Sequence, residues 1–222
     1  MSRDAILARM RRSLGVHPGD VTRRAEVADR LTRTPRGVVP ARGQLAREEL
    51  VRLFLDKTVA VQASCVRVAS PAESKTAVLD YLRGANLPMR IRIGADRRLA
   101  ALGLEADPLV EDGHGPSAGD DLACLSHAFG GVAESGTLML HSGPDNPTTL
   151  NFLPDHHIVV VDADDIYGDY ETLLDLVRET YGIGEMPRTV NFITGPSRSA
   201  DIEQTLLLGA HGPRSLHVIV VG

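Results

Sequence analysis

Apolar positions along the chain fall into two regimes. Residues 3–14 place Ile6, Leu7, Met10 and Leu14 on one helical face, with Ser2 positioned to cap the start and Gly15 to end it. Residues 16–43 carry Pro18, Pro35, Gly37, Pro40 and Gly43 with little apolar periodicity, which predicts an extended arm. From residue 44 the pattern alternates. Leu45, Leu50, Leu53 and Phe54 predict a helix, while residues 58–62 and 66–68 have strand character. Ser70-Pro71-Ala72-Glu73 has the chemistry of a helix start, with Ser at the N-cap, Pro at the first position and Glu at the third. Ala77, Val78, Tyr81 and Leu82 continue its buried face, followed by a strand over 89–93 and a short helix over 99–102.

In the second half, residues 137–141 read as a strand leaving a glycine turn, and the β-branched run 158–161 suits a strand buried on both faces. Asp164 is placed to cap a helix carrying Ile166, Leu173, Leu174 and Val177. A strand over 189–194, a helix over 199–208 stopped by Gly209 and a strand over 216–221 complete the chain. Strand–helix–strand repeats of this kind predict an α/β fold, a largely parallel sheet with helices on its faces. The expected organisation is a helical arm over 1–43 and an α/β domain over 44–222.

Composition narrows the function. The chain has 222 residues, long enough for a sizeable core, and with 43% apolar and only 4% aromatic residues that core must be mostly aliphatic. A net charge of −5 argues against a nucleic-acid-binding surface. Arginines such as Arg9, Arg11, Arg12, Arg23 and Arg24 crowd the first segment, where a solvated basic face is the plain reading. No apolar run approaches the roughly 20 residues of a membrane span, and there is no signal-peptide core, so a cytoplasmic protein is expected. The two cysteines, Cys65 and Cys124, are too few for a usual iron–sulfur cluster or Cys-rich zinc site. Adjacent His156 and His157 point in different directions on either a strand or a helix, so no metal site is expected from them.

Three segments depart from core-and-turn logic. In Gly130-Gly131-Val132-Ala133-Glu134-Ser135-Gly136-Thr137, glycines bracket a carboxylate just before a strand. Glu134 there is placed either to act as base or nucleophile in a crevice or to serve as a cap or solvated group. Pro144 to Pro154 form a polar loop between two strands. Thr194-Gly195-Pro196-Ser197-Arg198-Ser199-Ala200-Asp201 runs from a strand end through a glycine turn into the expected helix. Its free N–H groups, with Arg198 and the hydroxyls of Ser197 and Ser199, could hold a small anion, although Asp201 and Glu203 in the first turn already complement the dipole. Asp201 could instead hold Arg198 or bind a ribose-like hydroxyl, or Ser199 could simply cap the helix. His211-Gly212-Pro213, after Gly209, is a tight polar turn that helix capping does not explain.

These same residues resemble a known family. Gly195-Pro196-Ser197-Arg198-Ser199-Ala200-Asp201-Ile202-Glu203, with Gly209-Ala210-His211-Gly212-Pro213, resembles the C-terminal signature of the lactate utilization (LUD) domain, in its short C-type form. Ala133-Glu134-Ser135-Gly136-Thr137-Leu138 is similar to the family's Ala-acidic-small-Gly-Thr-Leu turn, where many members carry Asp. Phe152-Leu153-Pro154-Asp155-His156-His157-Ile158 is similar to its Leu-Pro-x-x-His-Ile stretch, and Ile6 to Arg11 to the start of its C-type members.

The resemblance implies a Rossmann-like fold akin to NagB, ribose-5-phosphate isomerase and CoA transferases. It implies a place in a three-protein system oxidising L-lactate to pyruvate, with the iron–sulfur clusters in partner proteins and no cofactor in this chain. Candidate ligand contacts are Gly136, Thr137, Gly195, Ser197, Arg198, Ser199, Asp201, His211 and Gly212. Glu134 is the candidate catalytic residue, by similarity to the CoA-transferase glutamate that forms an acyl intermediate. Three roles therefore compete: an accessory component that binds partner proteins and a small anionic ligand, an independent transferase- or isomerase-like enzyme using Glu134, and a non-catalytic regulatory or structural module. Oligomeric state stays open.

Overall fold

The computed structural model of the protein describes residues 2–200 and 206–222, and the chain divides after Val38 into two units. The first holds α1 (Arg3–Ser13) and α2 (Val21–Arg33). As expected for α1, the Ser2 hydroxyl accepts from the Ala5 N–H at 3.3 Å and Gly15 takes φ +63° just past the helix. Helix α2 corrects the extended arm expected over 16–43. Asp20 caps it, accepting from the Arg23 N–H at 3.0 Å. Its apolar stripe is thin, built from alanines with Val27 and Leu31 among strong helix-forming arginines, so proline and glycine on its flanks dominate the pattern.

The second unit starts with α3 (Arg47–Ala60), β1 (Ser64–Val68), α4 (Pro71–Gly84), β2 (Arg90–Ile93), α5 (Arg97–Ala100), β3 (Glu111–His114) and β4 (Ala123–His127). There follow β5 (Gly130–Val132), β6 (Thr137–His141), β7 (His156–Asp162), β8 (Ile166–Tyr167) and α6 (Tyr170–Tyr181). It ends with β9 (Val190–Ile193), β10 (Arg198–Ala200), β11 (Leu206–Leu208) and β12 (Ser215–Val221). Six strands form an all-parallel sheet in the order β1-β12-β7-β4-β2-β3. A smaller mixed sheet has the order β8-β5-β6-β9, and β10 pairs antiparallel with β11.

Alternation along the central strands explains the layers. Ile158, Val160, Ile219 and Val221 point to one face, where they meet Val78 and Leu82 of α4 and Leu99 of α5. Val159, Val161, Val218 and Val220 point to the other, against Val51 and Phe54 of α3 and Leu138 and Leu140 of the small sheet. Each such burial contributes roughly 1.5–3 kcal/mol, and together they fix the register, because a one-residue slip would swap the faces. Helix α6 covers the far side of the small sheet through Leu173 and Val177, against Val132 and Met139. The α/β class, with a largely parallel sheet and helices on both faces, is as the sequence predicts.

Three local expectations are corrected. Residues 58–62 are no strand: α3 continues to Ala60, because Val51, Phe54 and Thr58 share one buried helical face that outweighs β-propensity. Asp164 does not cap a helix over Ile166. It lies in a 3₁₀ turn before β8, and Asp169 caps α6 instead, accepting from the Thr172 N–H at 2.8 Å. The helix expected over 199–208 is replaced by β10 and β11, with Arg198 opposite Leu208 and Ser199 opposite Leu207. Three consecutive leucines lack helical periodicity, and the Gly209 N–H closes the ladder onto the Ser197 carbonyl at 3.0 Å. Among the described residues, no helix is long and apolar enough to cross a membrane.

Candidate functional site

Both glycine turns picked out by sequence pack on the C-terminal end of α3. Gly136 has φ +67°, and a Cβ there would lie 2.7 Å from backbone atoms of Lys57 and Thr58. Gly195 has φ +73°, and its Cβ would lie 2.4 Å from the Val61 carbonyl oxygen. Only glycine fits either position. Strand β6 leaves the first turn and β9 enters the second as antiparallel neighbours, with Leu138 opposite Ile193. The two turns therefore lie at the same end of the small sheet. The Thr137 hydroxyl joins them, 2.7 Å from the Thr194 hydroxyl and 2.8 Å from the Tyr170 hydroxyl.

Beyond Thr194 opens a pocket of about 270 Å³. Gly195, Ser197, Arg198, His211 and Gly212 line it, so five of the predicted ligand residues come together. The second glycine segment is tied to the first: the Ser197 N–H donates to the Pro213 carbonyl at 2.8 Å, and the His211 N–H to the Ser197 hydroxyl at 3.3 Å. Phe152, Phe192, Ile193 and Leu216 supply apolar wall. Arg198 and His211 are exposed at the rim. Ser199 lies in β10 rather than at a helix N-terminus, so the helix-dipole argument for an anion falls away. Gly136 and Thr137 do not line the pocket, although Thr137 touches its edge through Thr194. Asp201 lies outside the described residues.

Two further lining residues, Asn151 and His157, were not among the sequence candidates. Asn151 ends the 3₁₀ turn Thr148–Asn151 in the polar loop that sequence set apart. That turn is pinned by the Cys124 thiol, which donates to the Leu150 carbonyl at 2.9 Å. Asn151 is 1% exposed, yet neither its Oδ1 nor its Nδ2 has a hydrogen-bond partner among the described residues. His157 is wholly buried near the start of β7, opposite Cys124 of β4 on one side and Leu216 of β12 on the other. Its Nε2 lies 3.0 Å from the Ser126 hydroxyl, and its Nδ1 has no hydrogen-bond partner among the described residues. Burial holds the imidazole neutral, with its pKa pushed down to about 3. Buried polar atoms are nearly always paired, so three unpaired atoms on two residues of one pocket mark a place where a polar group, ligand or water, completes the hydrogen bonds; Ser74, Asn146 and Asn191 carry unpaired buried atoms elsewhere. Ser126 itself does not line the pocket, so the Ser126–His157 pair orients the ring rather than presenting a nucleophile. The Leu-Pro-x-x-His-Ile resemblance, which places its histidine at His157, was the available signal for that residue.

Glu134 sits elsewhere. It is buried, it does not line the pocket, and its Oε2 lies 3.1 Å from the Arg42 guanidinium. That N–H is not aimed along a hydrogen bond, so the contact is an ion pair only. A separate exposed group, Glu105, Asp112 and His114, brings metal-capable atoms within 4.8 Å of one another, but these side chains already pair with each other.

A family model described as the LUD domain matches residues 51–221. The chain belongs to the LUD domain family. It is 39% identical over 99 residues to an uncharacterized protein of Neisseria meningitidis serogroup B, an alignment covering 45% of this chain and 42% of that protein. It is 41% identical over 91 residues to lactate utilization protein C of a Geobacillus species and 38% identical over 91 residues to that of Bacillus subtilis. Each of these alignments covers 40% of this chain and 38% of the relative, so the match spans about two-fifths of the curated relatives' length. A crystal structure of a DUF162 family protein from Deinococcus radiodurans superposes with a TM-score of 0.59 at 25% identity, covering 80% of this chain and 99% of that one. This LUD domain thus has the fold of that solved relative.

Proposed function

We propose that this LUD protein serves lactate utilization as an accessory component of L-lactate oxidation to pyruvate. In this reading it binds a small anionic ligand and docks on iron–sulfur partner proteins. The observation that carries the reading is the pocket beside Thr194, where the family's C-terminal signature meets two buried side chains with polar atoms unpaired among the described residues. The relatives named lactate utilization protein C supply the pathway. Redox clusters are assigned to partners because Cys65 and Cys124 provide too few thiolates for one. Arg198 on the rim gives an anion its counter-charge, and the apolar wall suits a small ligand that also carries a short alkyl group.

The transferase-like alternative finds no matching observation, since Glu134 faces Arg42 and not the pocket. Deleting the gene and growing the strain on L-lactate, with a glucose control, tests the proposal. Growth should fail on lactate alone and return with the wild-type gene. Equal growth on both carbon sources would remove the chain from the pathway.

A further inference from the structure

We propose that the pocket binds a short 2-hydroxycarboxylate, whose hydroxyl is read by Asn151 and His157 and whose carboxylate is held at the rim by Arg198. The inference rests on reading this pocket as a ligand site, and it names residues and a chemical class that the pathway reading does not require.

The unpaired atoms define the class. Asn151 presents one donor and one acceptor, and His157 presents Nδ1, all three buried and without partners among the described residues. A plain carboxylate only accepts. It would satisfy Asn151 Nδ2 and leave the Oδ1 facing a negative charge. A 2-oxo acid only accepts as well. A hydroxyl both donates and accepts, so placed next to a carboxylate it can donate to Asn151 Oδ1 while its own oxygen accepts a hydrogen bond from the Nδ2 group or from the imidazole N–H. Because the imidazole is neutral, it adds no second charge to the buried end.

Charge and size agree. The lining residues include no Asp or Glu among those described, and Arg198 is the one side chain there with a permanent positive charge. The Arg198 guanidinium has no ion-pair or hydrogen-bond partner among the described residues, which suits it to a carboxylate. With the cation at the rim and only neutral groups inside, a monoanion fits with its charge outward. A phosphate dianion would need a second cation that the buried end does not offer. About 270 Å³ is just under the roughly 300–1,000 Å³ of pockets for drug-sized ligands, which favours a metabolite of few atoms. Phe152, Phe192 and Leu216 leave an apolar wall for a short alkyl group.

The test is calorimetric titration of the full chain with L-lactate, pyruvate, propionate and inorganic phosphate. Sites built to hydrogen-bond a hydroxyl reject analogues lacking it by factors up to about 10⁴–10⁵. L-Lactate should bind at least about tenfold tighter than pyruvate or propionate, and phosphate should bind more weakly still. Asn151→Leu, close in shape, should bring lactate down to the affinity of propionate. Asn151→Asp, which sets a carboxylate against the anion, should weaken every acid. Equal binding of lactate and propionate by the wild-type chain overturns the proposal without recourse to any variant. So does unchanged lactate affinity in a folded Asn151→Leu protein, tighter binding of phosphate, or no binding of any probe. Loss of growth on lactate combined with no hydroxy-acid binding would leave the pathway role standing and remove only this inference. Selective binding with normal growth would do the reverse.

Discussion

At the Glu134 turn a buried carboxylate faces a guanidinium, while at the pocket a buried carboxamide and an imidazole Nδ1 have no hydrogen-bond partner among the described residues. Both places lie at the same end of the small sheet, and both hang from a glycine turn packed on α3. The difference separates structure from recognition. A charge that is already neutralised within its own chain has little left to offer a ligand. A buried donor and acceptor left unpaired are a standing cost to the fold, and such costs are retained where a ligand repays them.

The strongest way to break this comparison is to disturb the two turns one at a time. Gly136→Ala would put a Cβ 2.7 Å from the Lys57 and Thr58 backbone at φ +67°, and Gly195→Ala would put one 2.4 Å from the Val61 oxygen at φ +73°. Left-handed strain and overpacking together should cost roughly 3 kcal/mol or more in each, read from chemical denaturation midpoints. The two should then differ in function. Gly195→Ala moves the pocket wall and should lose ligand affinity beyond its stability loss. Gly136→Ala, in any fraction that folds, should keep it.

The Glu134 side can be sharpened through its partner. Arg42→Ala leaves a carboxylate that is 6% exposed without its counter-charge. The Arg42 side chain is 67% exposed, so solvent already weakens the pair, and a loss of about 2 kcal/mol is expected rather than the full cost of a dry ion pair. Glu134→Gln removes the charge itself and should cost less than Arg42→Ala. A Glu134→Gln strain should still grow on lactate. Growth lost while the variant protein stays folded would restore Glu134 as a chemical participant and reverse the reading of this turn.

Acid should report on the burial of His157. His157 has a pKa of about 3 when folded, below the usual histidine value of about 6.5, because burial disfavours its charged form. The unfolded chain therefore takes up that proton first. Its contribution is whole above about pH 6.5 and declines as pH falls toward 3, by at most about 1.4 kcal/mol per pH unit. His141 and His217, each pushed by burial to about 4, add to the same direction. Urea midpoints should fall between pH 6.5 and 4, and the His157 ring should keep the NMR shifts of a neutral imidazole down to about pH 4. Early protonation of His157 would mean that its environment is wet rather than dry.

How much of this was legible along the chain depends on what carried the signal. The strands at 158–161 and 216–221 announce themselves because runs rich in β-branched residues are buried on both faces, and the strand at 137–141 because a short apolar stretch leaves a glycine turn. Strand β4 does not, since Ala123, Cys124, Ser126 and His127 are buried by their neighbours rather than by their own hydrophobicity. The β10–β11 pair reads as a helix because a Gly-Pro-Ser entry resembles a capped start, while the antiparallel partner that holds β10 lies several residues away. At the site, the glycine turns and the Ser197-Arg198 segment are legible as backbone chemistry. Asn151 and His157 are not, because an unpaired buried atom is a property of packing, and the same residues exposed on a loop would be ordinary. Glu134 shows the converse: glycines around a carboxylate look like an active site until Arg42, 92 positions earlier, is seen beside it.

The smallest expected effect has an unusual sign. Asn151→Leu replaces a buried carboxamide that has no hydrogen-bond partner among the described residues with a side chain of nearly the same shape that needs none. If Asn151 served only the fold, removing it would destabilise the protein, as most core substitutions do. If it is held unpaired for a ligand, the ligand-free variant should gain stability, by about 1 kcal/mol, a fraction of the roughly 1–3 kcal/mol cost of a buried unsatisfied group. Adding L-lactate should then stabilise the wild-type chain and leave the variant unmoved, because only binding to the folded state shifts the unfolding equilibrium. Paired denaturation curves, with and without lactate, read both effects in one experiment. A variant less stable than wild type in both conditions would make Asn151 a structural residue like those around Glu134, and the contrast between the two turns would disappear.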